Sequence, residues 1–130
     1  MKKLNKIEYL IGDATSPIGI GNKIIAHIVN DQNRWGSGFV LSISNKWKKP
    51  ESQYRLKLFY RLGAVDYVEV DNSLGNKIVV ANMIAQHDTG LDENGDIPLR
   101  YSALVDCLRD LNDMAEYNKR LCFIMSINDI

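Results

Sequence analysis

The segment KIIAHIV, residues 23 to 29, is the strongest single constraint on the fold. A run this apolar cannot face water on either side, so it predicts a central strand covered on both faces. Such strands occur in sheets with helices packed above and below, and the rest of the chain supplies both kinds of element. Ile7 to Ile11 reads as a short strand ending at Gly12-Asp13. After the central strand, Phe39, Val40, Ile43 and Trp47 recur at helical spacing, and PESQYRLKLFYRLG predicts a second helix between Pro50 and Gly63. AVDYVEV alternates as a half-buried strand, NSLGN is a turn, and KIVVANMIA is a more buried strand, which together predict a hairpin. From Leu99 to Asn118 a stripe of Leu104, Cys107, Leu108, Leu111, Met114 and Ala115 predicts a long amphipathic helix. RLCFIMS reads as a last buried strand. Strands alternating with helices, plus one hairpin, predict a three-layer α/β domain with a mixed sheet between helices.

At 130 residues and 45% hydrophobic content the chain fits one domain spanning 1–130. Its 16 basic residues balance 16 acidic ones, so no global field draws it to nucleic acid or an anionic membrane. Cys107 and Cys122 lie in apolar stretches, which suits reduced, buried thiols. The N-terminal apolar run is short and broken by Glu8 and Asp13, fitting neither a signal peptide nor a membrane span. The expectation is a cytoplasmic protein.

Ligands of open α/β sheets bind beyond the carboxyl ends of the strands. Three polar segments lie there: Gly12-Asp13, Asn30 to Gly38, and Gln86-His87. The Gly36-Ser37-Gly38 turn opens a helix, so its backbone N–H groups and the helix dipole suit a phosphate. A tight strand-to-helix connection would need the same glycines. Asp13 suits an exocyclic amine, but also a turn or helix cap. Asn30 suits a sugar hydroxyl, or ties down its own loop. His27, inside the apolar strand, reads as a packed core histidine. His87, at a strand end beside Asp88, is a candidate acid or base, or an exposed loop residue.

Other patterns fail. PIGIGNKI has Ile24 where a dinucleotide fingerprint needs its third glycine, and it precedes a strand. DTGLDENGD has Gly90 where a calcium loop needs its first carboxylate. No metal site and no cofactor is implied. The basic stretch Lys46, Lys48, Lys49, Arg55, Lys57 and Arg61 reads as solvated helix faces that at most steer an anion.

YLIGDAT, AHIVND, RWGSGFVLSISNKW, VVANMIAQ and PLRYSALVDCL, in that order, resemble the macro domain family, modules that bind ADP-ribose and in some members hydrolyse its derivatives. The branch it looks like contains terminal ADP-ribose protein glycohydrolase. The resemblance implies that Asp13 accepts from the adenine amino group and that the Ala14 backbone helps hold the base. It implies that Asn30 faces the distal ribose, with Gln86 and His87 nearby. Gly36, Ser37, Gly38 and Phe39 would form the first diphosphate loop. By the same resemblance the substrate, if one is turned over, is ADP-ribose 1″-phosphate or an ADP-ribosyl ester, attacked by a water held on Asn30. That branch carries a nucleophilic lysine where Gln86 and His87 stand here, so a Schiff-base route is not implied. Ending at SINDI, the chain is expected to be C-terminally truncated, lacking the family's second glycine-rich phosphate loop, last helix and last strand. An exposed sheet edge would then favour a homo-oligomer, and a degenerate interaction or assembly module is the alternative to nucleotide binding.

Overall fold

In the computed structural model, the described residues are 9–36, 38–73, 75–87, 98–117 and 122–125. The elements run β1 (Lys23–Asn30), α1 (Phe39–Lys46), α2 (Lys49–Arg55), β2 (Val65–Ser73), β3 (Asn76–Gln86), α3 (Tyr101–Tyr117) and β4 (Cys122–Met125). The four strands form one sheet in the order β2-β3-β1-β4. β1 runs parallel to both neighbours, while β2 and β3 form the expected antiparallel hairpin. The sheet is therefore mixed.

All eight residues of β1 are buried, because helices cover both faces of the sheet. Ile24, Ala26 and Ile28 point to one face, where with Ala81, Met83 and Ala85 they meet Ala103, Leu104, Cys107 and Leu111 of α3. Ile25 and Val29 point to the other, where with Val80 and Ile84 they meet Trp35, Val40, Ile43 and Tyr54 from the loop and from α1 and α2. The period-2 alternation of a strand thus splits one apolar run between two cores. The three-layer α/β arrangement is the one the sequence predicts. Among the described residues no helix is long and apolar enough to cross a membrane.

The structure corrects three details. Tyr9, Leu10 and Ile11 are exposed and outside any strand, whereas Ile7 and Glu8 lie outside the described residues. The second helix ends at Arg55 and does not reach Gly63. Leu56, Leu58 and Phe59 beyond it are exposed, so no apolar stripe holds further turns to the sheet. Gly63, at φ 93°, then turns the chain into β2, with its N–H donating to the Ile84 carbonyl at 2.7 Å. Leu108 of α3 is 42% exposed, at the margin of a stripe whose centre is Leu104, Cys107 and Leu111.

Candidate functional site

The polar loop leaving β1 is held by its own first residue. Asn30 is buried, and its Oδ1 accepts the backbone N–H groups of Gln32 at 2.9 Å and Arg34 at 3.2 Å. Its Nδ2 donates to the Arg34 carbonyl at 2.6 Å. The Tyr54 hydroxyl lies 2.7 Å from the Asn30 carbonyl and 2.8 Å from Oδ1, so its one proton is shared between two acceptors of the same residue. Burial pushes the Tyr54 phenol up to about 12, keeping it a donor at ordinary pH. An asparagine fits here because one amide both accepts and donates, matching the N–H and C=O of Arg34 together.

A second brace runs through both helices. Trp35 Nε1 donates to Ser44 Oγ of α1 at 2.7 Å, and Ser44 donates to Glu51 Oε1 of α2 at 2.9 Å. Glu51 Oε2 accepts from Arg55 Nε at 2.9 Å, and Arg55 reaches back to the Asn33 carbonyl at 3.1 Å. The Arg55 hydrogen bond, aided by that from Ser44, holds the Glu51 carboxyl below its usual range. Loop, α1, α2 and loop thus form a closed hydrogen-bonded circuit. Beneath it, His27 lies opposite Asn82, with Nε2 donating to Oδ1 at 2.5 Å. Its ring meets Trp35 and Phe39 edge-on at 5.3 and 6.0 Å. Among the described residues Nδ1 has no partner, and burial lowers the imidazole to about 4.

Between Trp35 and Phe39 lies the glycine turn. Gly36 and Gly38 are exposed, and a methyl group built on either meets nothing within 4 Å. Gly38 has φ 77° and ψ −145°, a region open almost only to glycine, and it is the N-cap of α1. Among the described residues no side chain caps that helix, and no acidic residue lies in its first turn. The Leu41 N–H donates back to the Gly38 carbonyl at 3.1 Å, while the Phe39 and Val40 N–H groups before it have no carbonyl partner within the helix. Ser37 lies outside the described residues.

Asp13 is exposed and folded into a local turn. Its Oδ1 accepts the Thr15 N–H at 2.9 Å and the Thr15 hydroxyl at 2.7 Å, which holds the carboxyl below its usual range. Lys46, in the last turn of α1, donates to the Thr15 carbonyl and to Ser16 Oγ at 3.0 Å. Lys46 thus ties the turn that contains Asp13 and Ala14 to the last turn of α1, the end opposite the glycines.

Gln86 closes β3: its carbonyl accepts the Asp31 N–H at 3.0 Å, and it bridges to Leu99. His87 follows, with Nδ1 at 2.7 Å from Asp31 Oδ2. The sequence pairs His87 with Asp88, which lies outside the described residues; the observed partner comes from the end of β1. The brace residues Tyr54, Trp35 and Ser44, and Asp31 itself, are not singled out by sequence reasoning. A composition signal existed for Asp31 alone, as a carboxylate at a strand end. Of the basic stretch, Lys46, Arg55 and Lys57 are engaged with Thr15, Glu51 and Asp66. The DTGLDENGD segment lies outside the described residues from Asp88 onward. Among the described residues no three His, Cys, Asp or Glu side chains gather to hold a metal.

A mixed sheet between helices, with a glycine turn following the parallel central strand, has the architecture of a macro-type domain. No protein-family model and no curated protein matches the chain. Solved structures do. A Bacteroides thetaiotaomicron protein matches at 45% identity with a TM-score of 0.79, over 88% of this chain and 74% of that one. A protein of unknown function from the same organism matches at 43%, also with a TM-score of 0.79, over 90% and 74%. A macrodomain protein from Streptomyces coelicolor matches at 38% identity with a TM-score of 0.72, over 88% and 73%. The chain belongs to the macrodomain family.

Proposed function

We propose that this protein binds ADP-ribose or a derivative of it. The diphosphate is received at Gly36 to Phe39, the adenine at Asp13 and Ala14, and the distal ribose beside Asn30, Gln86 and His87. One observation supports this reading above the others: the uncapped N-terminus of α1 sits behind two exposed glycines, and no described protein group fills the space beside either. Successive amides and the positive helix end favour a diphosphate there. Asn30, with its Oδ1 and one N–H committed to the loop, acts mainly by holding Gln32 to Arg34 in place.

Within the family, the branch containing terminal ADP-ribose protein glycohydrolase is the one proposed, with Gln86 and His87 replacing its lysine. Hydrolysis of ADP-ribose 1″-phosphate or of an ADP-ribosyl ester is the activity that this ligand and the acid-base groups around it suit. Titration calorimetry with ADP-ribose tests the binding. Saturable heat that AMP and ribose 5-phosphate alone do not reproduce is expected, and no heat at millimolar ligand overturns the reading.

A second reading, an assembly module, has one observation behind it: among the described residues β4 pairs on one side only, with β1. Unpaired strand edges invite a second copy. Sedimentation with and without ADP-ribose separates the two readings, since a concentration-dependent oligomer indifferent to ligand supports assembly.

A further inference from the structure

The pairing of β1 with β3 slips by one residue at the carboxyl end of β1. From Lys23 with Ile78 to Val29 with Ile84 the offset between partners is 55, and at Asn30 with Gln86 it is 56. At the earlier offset Asp31 would face Gln86; after the slip it faces His87. Bulges of this kind re-aim side chains at strand ends. The result is the 2.7 Å contact between Asp31 Oδ2 and His87 Nδ1, with the carboxylate side chain 11% exposed and the imidazole 50% exposed. Asp31 is held from behind, its N–H on the Gln86 carbonyl and its Oδ1 accepting from Gln32 Nε2 at 3.2 Å.

We propose that Asp31 and His87 are the proton-transfer pair of this site, His87 as the catalytic base and Asp31 as its positioning residue, acting on an ester of ADP-ribose. The inference rests on the ADP-ribose reading above. A carboxylate accepting from Nδ1–H fixes the tautomer and leaves the lone pair on Nε2. Nε2 takes a proton from water as the water oxygen bonds to the ester carbonyl carbon. The bond from that carbon to the ribosyl oxygen then breaks, and the imidazolium returns its proton to the departing oxygen. The products are a carboxylic acid and ADP-ribose, and no co-reactant other than water is consumed.

The test uses the whole chain, an acetyl ester of ADP-ribose for turnover, and ADP-ribose itself for calorimetric binding. His87→Gln and Asp31→Asn are each expected to lower kcat by about 10²- to 10⁴-fold while changing the ADP-ribose Kd and KM by less than about threefold. In Asp31→Asn the new amide can donate to Nδ1, so long-range nitrogen-15 spectra should show the ring proton moving from Nδ1 to Nε2. That exchange reads the hydrogen bond between the two side chains, and the loss of kcat without a matching change in KM or Kd is the readout that a merely structural role would not give. Should Asp31→Asn fail to fold, His87→Gln at a half-exposed position carries the kinetic test. Wild-type protein that binds ADP-ribose yet leaves the ester intact overturns the pair and spares the binding reading, as do variants that cleave like wild type. Wild-type protein that binds nothing overturns both.

Discussion

Acidification should destabilise this protein through His27. The imidazole is fully enclosed, faced by Asn82, Trp35 and Phe39, and burial lowers it from 6.5 to about 4. Because the folded-state value is depressed, the unfolded chain binds more protons below pH 6.5, and stability present above that pH is lost as pH falls toward 4. A full shift of this size corresponds to roughly 3.4 kcal/mol at about 1.36 kcal/mol per unit. About 2 kcal/mol of it is already lost at about pH 5. That is a large fraction of the roughly 5–15 kcal/mol typical of a domain. Urea midpoints at pH 7.5 and 5.0, for wild type and His27→Gln, isolate the effect in the difference between the two pH responses. Wild type should lose about 2 kcal/mol more than the variant over this interval, and equal losses would refute the reasoning. If the variant does not fold, carbon-13 shifts of the His27 ring in wild type give the same answer. They should stay unchanged down to about pH 5, and a midpoint near 6.5 would show that the ring is not sealed.

Tyr54→Phe removes the hydroxyl shared by two Asn30 acceptors and should cost about 1–3 kcal/mol, with faster hydrogen exchange at the Gln32 and Arg34 amides as the local readout. Gly38→Ala places a side chain at φ 77°, and about 1–3 kcal/mol of strain is expected; calorimetry should show weaker ADP-ribose binding together with a lower Tm. Asp13→Ala should narrow the preference for ADP-ribose over its hypoxanthine analogue, because the group proposed to accept from the exocyclic amine is gone; an unchanged ratio would detach Asp13 from the base. Glu51→Gln weakens the circuit from Trp35 to Asn33 and should lower ligand affinity by about threefold to tenfold at low salt, without contact between residue 51 and ligand.

The layers were legible because burial leaves a one-dimensional trace. An uninterrupted apolar run marked β1, the 3.6-residue stripe of Leu104, Cys107 and Leu111 marked α3, and a turn between two β-rich runs marked the hairpin. Ends were less legible: Leu56, Leu58 and Phe59 continue a composition that suits a helix, and only the absence of a surface to pack on stops α2 at Arg55. The site divides in the same way. Gly36 and Gly38 stand out in sequence as two glycines opening a helix, and Gly38, at φ 77°, is the one whose backbone other residues rarely adopt. The contact of Asp31 with His87 is hidden, since it depends on a one-residue slip between strands 56 positions apart, and no local pattern encodes a slip. Asn30 was visible as polar, but whether its amide served a ligand or its own loop depended on Tyr54, 24 residues away.

The central place of β1 also sets an order of events during synthesis. Its partner on one side begins with Ile78 opposite Lys23, and on the other with Cys122 opposite the same residue. At roughly 5–20 residues per second, a nascent chain emerging from the ribosome waits several seconds for the first and up to about 20 s for the second. Until β3 emerges KIIAHIV has no strand beside it, and until β4 emerges one of its edges stays open, so the segment depends on shelter for longer than its early place in the chain suggests.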